Sequence, residues 1–453
     1  MDEIIALCKR RGFLYPSSEI YGGLANSWDF GHYGTLLKNN IRDAWWRTFV
    51  LSRSDMVGLD ASIFLNTKVW QASGHVAGFT DAMVDCRNCK YRVRADHLIE
   101  DKIRGIKVEG LPVEKLTSII KERGLKCPKC GKTDLTDVRK FNLLFETKMG
   151  IIEDSKSTLY LRGEIAQGIF LNFKNVLNSL RVKIPFGIAQ QGKAFRNEIT
   201  LGRSVFRTME FDLMEFEYFI HPSKWEKVFE MWKDEMWKFA LLLGISEKKL
   251  RWREHEAFER SFYSKKTMDI EYQFSFGWKE MFGLAYRTDF DLKNHIKHSG
   301  KDLQYLDAKT GEKYIPHVIE PTFGLSRLVG IVLEDAFTVE KVNGTERIYL
   351  KLDPKLAPIK VAVFPLQKDA QLIELSEDLY RSFKAYLTAE YDNAGNIGKM
   401  YRRQDEIGTP YCITVDYQSM VDRMVTVRER DSMKQERVCL DKIHAYMKEK
   451  LSI

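Results

Sequence analysis

No stretch of the chain approaches the ~20 consecutive apolar residues of a membrane-spanning helix. The opening MDEIIALCKRRGF has acids ahead of its bases and too short an apolar run for a secretory signal. A cytoplasmic protein without a membrane partner is expected. Internal repeats, low-complexity tracts and coiled-coil heptads are also missing. Cysteine is sparse, and its count of seven is odd, which argues against a disulfide framework and for a reducing compartment. There is no basic arm either. From residue 356 onward 15 Lys and Arg face 15 Asp and Glu, and residues 61–155 hold 17 against 13. The net charge of +8 therefore requires any nucleic-acid surface to be a patch assembled by folding.

What is present is a globular composition, 44% hydrophobic and 30% charged over 453 residues, which at ~150 residues per domain suggests about three units. After a turn-rich segment, PSSEIYGGLANSWDFGHYG, the stretch TLLKNNIRDAWWRTFV repeats its apolar residues at helical spacing. Its broad apolar face suits either the core or a second subunit. Residues 61–155 have the composition of a surface insertion, with helices expected near RADHLIEDKI and VEKLTSIIKERG. Strands alternate with amphipathic helices from 156 to 350, among them PSKWEKVFEMWKDEMWKFALLLG, whose Met and Trp residues are assigned to the core. ERIYLKLDPKLAPIK has the prolines of a linker, and residues 356–453 then supply the strands KVAVFPL, PYCITVDY and MVTVRER of an α/β domain.

Two CxxC pairs, Cys86/Cys89 and Cys127/Cys130, have the spacing at which two knuckles share one tetrahedral zinc. Four free thiols in a reduced insertion are the competing reading. Cys8, Cys412 and Cys439 are expected to be ordinary thiols. Gly187 to Ala194 approximates a phosphate-binding loop, but Ala194 stands where a Mg²⁺-binding hydroxyl is needed and a strand follows. His295 and His298 lie three apart in a helical stretch and read as a solvated or capping pair.

The segment QQGKAFRNEITLGRSVFRTMEFDLMEFEYF reads as an antiparallel hairpin turning near Gly202. With an extended backbone Arg196 and Glu198 share one face, a pairing suited to a nucleotide, and on the return strand Glu215 and Glu217 oppose Met214, Phe216 and Tyr218. A solvated strand with ordinary ion pairs is the alternative.

This FRNE segment and strand resemble motif 2 of the class II aminoacyl-tRNA synthetases, and EPTFGLSRLVGIVLEDAF resembles motif 3. SSEIYGGLANSWDFG, WQASGHVAGFTD, LRGEIAQGIF and RTDFDLKNH are similar to signatures of the glycyl-tRNA synthetases, so the resemblance spans nearly the whole chain. It implies an α+β fold: an antiparallel sheet flanked by helices, interrupted by a zinc-knuckle insertion and followed by an α/β anticodon-binding domain. Residues 1–60 would hold motif 1 and a dimer helix. The implied partners are glycine, tRNA-Gly and a second copy of the chain; the implied cofactors are ATP, Mg²⁺ and a structural Zn²⁺.

By the same resemblance Arg196 and Arg327 would be catalytic, with ATP held by Arg196, Asn197, Glu198, Phe206, Arg207, Phe211, Glu280, Met281, Gly324 and Arg327. Glu198 would accept from the adenine amino group, Phe206 would stack on the ring and Glu280 would border Mg²⁺. Glycine would be held by Arg94, Glu164, Phe211, Glu215, Glu320, Thr322 and Gly324. Thr322 stands where the family more often has Ser, Met209 where Arg is common and His32 in place of a usual Pro. In the last hundred residues, Lys399, Arg402, Arg403, Arg423, Arg428 and Arg430 are candidate phosphate contacts and Tyr401 a candidate for base stacking. A synthetase-like protein that binds nucleic acid or serves a polymerase without catalysis is the alternative; it should have lost the nucleotide residues, and Arg196, Glu198 and Arg327 all stand.

Overall fold

The computed structural model describes residues 2–452 apart from 104, 107, 109, 151–157 and 199–203. Helix α1, Asp2–Arg11, leads to α2, His32–Trp46, which continues through a wide turn in which Ser52 N–H reaches Arg47 O at 3.0 Å. The apolar face expected of this helix is spent on its own chain, because Leu37, Ile41 and Trp45 are fully buried.

A seven-stranded sheet forms the centre. Its strands are β1 (Met56–Leu59), β2 (Phe186–Phe195), β3 (Glu210–Ile220), β4 (Leu250–Glu254), β5 (Lys266–Phe274), β6 (Gly277–Thr288) and β7 (His317–Gly324), in the order β4-β5-β6-β7-β3-β2-β1. All neighbours are antiparallel except β1 and β2. The predicted hairpin is β2–β3, with Phe195 opposite Glu210; its expected turn at Gly202 lies outside the described residues. Strand β2 contains the glycine-rich stretch, so the phosphate-loop reading fails on local structure. Gly192 is needed there because a Cβ would lie 2.3 Å from Arg162 Nη2.

The two faces of β3 separate as the alternation predicts. Met214, Phe216 and Tyr218 join a core with Trp45, Phe49, Phe239, Phe282 and Phe323, against which α4 (Trp225–Leu242, after α3 in sequence) packs Trp232 and Met236. Beyond the acidic part of the other face, α3 (Ala166–Leu180) and α5 (Phe290–Ser299) cover the sheet through Phe170, Phe173 and Leu292. Motif 3 becomes β7 running into α6, Leu325–Ala336. No helix among the described residues is long and apolar enough to cross a membrane.

Between β1 and α3, a three-stranded sheet (Thr80–Asp85, Arg92–Arg94, Arg139–Asn142) and helices Ala95–Lys102 and Val113–Glu122 enclose a separate core that includes Val84, Leu98, Ile99, Leu116 and Ile120. Both helices lie where the sequence places them. The expected linker is half wrong: Thr345–Leu350 is a strand paired with Phe337–Val342, and the irregular part begins only at Lys351. Cross-strand pairing decides this, and a proline count does not report it.

The chain ends in a five-stranded sheet built from β8 (Val361–Pro365), β9 (Ala389–Tyr391), β10 (Tyr411–Val415), β11 (Met424–Glu429) and β12 (Gln435–Cys439), ordered β9-β8-β10-β11-β12. Helices α7 (Ala370–Lys384), α8 (Ile397–Ile407) and α9 (Ile443–Leu451) flank it. Glu406 on α8 accepts from Arg11 Nε of α1 at 2.6 Å and Tyr33 Oη donates to Glu390 at 2.7 Å, so the terminal sheet is tied to the first two helices.

Candidate active site

A cleft of about 140 Å³ opens beside β3, β6 and β7, lined among others by Arg196, Glu198, Phe206, Arg207, Phe211, Glu280, Thr322, Gly324 and Arg327. Arg196 and Glu198 do not sit in a strand, as extended spacing suggested; β2 stops at Phe195. The segment that follows is held by backbone bonds instead: Arg196 N–H to Met209 O at 2.9 Å, Asn197 N–H to Leu143 O at 2.8 Å, and Asn26 Nδ2 to Glu198 O at 3.2 Å. The part of Met209 that matters here is its carbonyl. The Arg196 guanidinium donates to Gly163 O at 3.0 Å and lies 5.1 Å from the Phe79 ring and 5.3 Å from Phe211. These rings fix its plane over the cleft.

Arg327, on the first turn of α6, lies 4.6 Å over the Phe206 ring and donates to Glu280 O at 2.9 Å, with Glu280 Oε2 3.0 Å away. That cation holds the Glu280 carboxyl below its usual range. Phe206 meets Phe274 edge-on at 5.2 Å. Met281, expected at the nucleotide, turns its side chain into the hydrophobic core, since strand alternation sends it away from Glu280. Arg94, expected at glycine, is bound by Asp96 through two nitrogens and by Asp81 at 3.0 Å. Burial raises the Asp81 carboxyl, and Arg94, Glu198 and Arg207 act on it as well. Arg94 therefore stands with Glu198 and Arg207.

The strands that line the cleft also carry a buried acidic cluster, Glu215, Glu217 and Glu320. The register that sets Glu215 against Thr322 and Tyr218 against Ile319 sets Glu217 against Glu320. These glutamates are at most 6% exposed, which overturns the reading of a solvated strand. The guanidinium of Arg287, fully buried, binds Asp291 through two nitrogens at 2.8 and 2.9 Å, Glu320 at 2.7 Å and Glu164 at 3.4 Å. It lies 3.8 Å over the Tyr263 ring. Gln167 bridges Glu164 and Asp291 and accepts from His295 at 2.9 Å. His295 is thus a core residue of this network, correcting the solvated pair; His298 is exposed and faces Asn294 O.

Burial opposes ionisation of Glu164, but His75, 3.2 Å away, and Arg287 outweigh it and hold the carboxyl well below the usual range. Burial pushes Glu320 up to about 7, with Arg287 opposing and Glu164 and Asp291 adding. Burial and the Glu320 charge raise Glu215 and Glu217 well above the normal carboxylate value. Glu215 Oε1 and both oxygens of Glu217 have no hydrogen-bond partner. Glu215 and Glu217 thus hold buried oxygens that no donor among the described residues satisfies, an arrangement that burial alone disfavours.

The four knuckle cysteines converge. Cys86 Sγ lies 3.5 Å from Cys130 Sγ and Cys89 Sγ 3.6 Å from Cys127 Sγ, all four within 4.8 Å of one another. A tetrahedron of sulfurs at ~2.3 Å from zinc has edges of about 3.8 Å. Each knuckle closes in the same way, with Lys90 N–H to Cys86 O and Gly131 N–H to Cys127 O at 2.9 Å. The Lys132 N–H draws the Cys130 thiol down toward the thiolate. Against a backbone bond from Tyr91, burial and the neighbouring thiols push Cys89 of the same cluster up to about 12; outside it, burial pushes the Cys8 thiol up to about 12 and raises Cys412.

In the terminal domain the basic candidates divide. Arg428 is buried against Asp405 at 2.9 and 3.1 Å, and Arg430 donates to Gly408 O and Leu352 O at 2.7 Å, so neither is presented to a ligand. Tyr401 is half-buried, its hydroxyl bonded to Thr414 and its ring against Phe364. Arg403 is bound by Asp392 at 2.6 Å. Lys399, Arg402 and Arg423 remain exposed.

The residues missed in the sequence are Arg287 and its partners Asp291 and Gln167. Arg287, near the end of β6, and Asp291, in the first turn of α5, stand four positions apart within RTDFDLKNH, a visible charge pair, but Glu164 is 123 positions away.

Residues 145–336 match the tRNA synthetase class II core domain (G, H, P, S and T) and residues 360–450 match the anticodon binding domain. The chain is 52% identical over 457 residues to the glycine–tRNA ligase of Clostridium acetobutylicum, with 100% of this chain and 98% of the relative covered. It is 51% identical to that of Caldanaerobacter subterraneus, with the same coverage, and 51% identical to that of Acetivibrio thermocellus, with 99% and 98% covered. Likeness of this degree along the entire length, joined to the cleft and the acidic cluster, places the chain in the glycine–tRNA ligase family of class II aminoacyl-tRNA synthetases.

Proposed function

We propose that the chain activates glycine with ATP and transfers it to the 3′ end of tRNA-Gly. The supporting observation is the juxtaposition across β3 and β7: a cationic, aromatic cleft meets a cluster of buried carboxyls, and Thr322 lies at their boundary, paired with Glu215. Glycine has no side chain to grip, so its site holds the ammonium and leaves little room at Cα. Glu215 and Glu320 receive the ammonium, the charge of Glu164 adds to their potential, and the Thr322 methyl group excludes larger amino acids.

The glycine carboxylate oxygen attacks the α-phosphorus, the bond to the bridging oxygen breaks and pyrophosphate leaves with its electron pair. Arg196 stabilises the charge on the α-phosphate in this step. Phe206 stacks on the adenine, with Arg327 moving off that ring, where it lies at 4.6 Å, to cover the opposite face of the base; Glu198 accepts from the amino group, with Asn197, Arg207, Phe211 and Gly324 shaping the same cleft. Mg²⁺, which neutralises the phosphates when bound, has Glu280 as the cleft carboxylate we assign to it. The tRNA 3′-hydroxyl then attacks the glycyl carbonyl and AMP departs.

In this reading 1–60 and 156–350 form the catalytic domain, 61–155 a zinc-bearing insertion and 356–453 the anticodon-binding domain. The four thiolates fit a closed, structural Zn²⁺ site. A homodimer accounts for the exposed Tyr15, Ile20, Tyr21 and Leu24 ahead of α2. The activity is tested by ATP–pyrophosphate exchange with single amino acids: exchange with glycine and not with serine, threonine or proline is expected. The absence of any amino-acid-dependent exchange points instead to the non-catalytic alternative.

A further inference from the structure

A buried ammonium needs three acceptors, because –NH₃⁺ has three N–H donors and buried donors are paired. Glu164 is a poor third acceptor here. Its Oε1 already takes Gln167 at 2.8 Å and Arg287 at 3.4 Å, and its Oε2 faces His75 at 3.2 Å. Glu217 is the opposite case: it is 0% exposed, and neither oxygen has a partner.

One oxygen from each of Glu215, Glu217 and Glu320 lies within 4.8 Å of the other two. Three atoms no farther apart than this leave a nitrogen room to stand about 2.8 Å from each, the length of a charge-assisted N–H···O bond. We propose that Glu217 is the third ammonium acceptor of the glycine site, completing with Glu215 and Glu320 a three-carboxylate cradle, while Glu164 serves as counter-charge to Arg287. This rests on the glycine-activating function proposed above and adds a specificity residue to it.

The surroundings agree. Glu217 is faced by Glu320 of β7, Arg287 of β6, Glu215 of its own strand and Asp291 of α5. Arg287 is already shared among Asp291, Glu320 and Glu164. A negative Glu217 therefore has no cation of its own until the ammonium arrives. Burial keeps its proton on in the free enzyme, and the entering ammonium displaces that proton to solvent.

The test uses the full chain with Glu217→Gln, an isostere that cannot carry the charge. The glycine KM in ATP–pyrophosphate exchange is expected to rise tenfold or more, with the ATP KM within twofold of wild type. When glycine is added without ATP in weakly buffered solution, the variant is expected to release about one proton fewer than wild type, a difference that a purely structural role does not produce. A glycine KM within twofold of wild type, or equal proton release, overturns the proposal. If the amide does not fold, Glu217→Asp withdraws the charge by one methylene: a raised KM with proton release preserved supports the cradle, and an unchanged KM contradicts it. A wild-type chain without glycine-dependent exchange fails the underlying function; wild-type exchange with an indifferent Glu217→Gln fails this inference alone.

Discussion

Arg287 Nη1 donates to Glu320 Oε1 at 2.7 Å, joining the strand ahead of α5 to the motif 3 strand at a point where the guanidinium is fully buried. The same cation also meets Asp291 and Glu164. Removing it leaves several buried charges uncompensated, and breaking such a pair costs about 3–5 kcal/mol. Arg287→Met is therefore expected to lower the stability of the catalytic core by that amount, read from urea unfolding by tryptophan fluorescence, and to abolish glycine-dependent exchange.

Glycine should stabilise the enzyme more at alkaline pH than at acid pH. Glu320 keeps its proton up to about 7 in the folded chain, against ~4.3 for an unfolded glutamate. Between those values the folded state binds more protons, so this group makes stability fall as pH rises. An ammonium beside the carboxylates relieves the cost of ionising them. The glycine-induced rise in Tm is expected to be larger at about pH 8 than at about pH 5.5 by scanning calorimetry; equal shifts at both contradict the assignment.

The knuckles should carry one zinc per chain. Metal analysis of the purified protein is expected to show it, and Cys127→Ala should lose it. Because structural zinc contributes folding energy, the variant is expected to become protease-sensitive between residues 82 and 138, where a separate core packs, while the central sheet resists. Full protection of the metal-free variant contradicts a structural role.

On α8, Arg402 is exposed at its tip, whereas Arg428 is buried against Asp405. Arg402→Ala is expected to raise the tRNA KM several-fold and leave ATP–pyrophosphate exchange unchanged. Arg428→Ala should destabilise the terminal domain, visible as a lower Tm. The reverse pattern contradicts the division between surface and core cations.

These two arginines show what a sequence reveals and what it withholds. Period-two alternation is visible in the letters, so the two faces of β3 and the β2–β3 hairpin were legible, and the helical spacing of apolar residues along α4 showed the core role of Trp232 and Met236. The convergence of the two CxxC pairs was legible too, because the members of each pair are neighbours in sequence. Which face of a strand is covered depends on distant elements, and for that reason Arg428 and Arg430 looked the same as surface cations. Arg287 was hidden for the same reason: its carboxylates come from three separate segments. Arg196 and Glu198 read as strand residues because nothing local marks where β2 stops; backbone bonds to Met209, Leu143 and Asn26 end it. Met281 and Arg94 followed their strand geometry and their nearest acids, which a resemblance between sequences does not report.

The central claim is that one cleft handles the nucleotide while the buried carboxyls on the strands that line it handle the glycine ammonium. Steady-state ATP–pyrophosphate exchange on Arg196→Ala and Glu215→Gln separates the two. Arg196→Ala is expected to lower kcat by about 10²–10³ at a nearly unchanged glycine KM. Glu215→Gln is expected to raise the glycine KM at least tenfold with the ATP KM unaltered. Normal glycine use by Glu215→Gln would contradict the account.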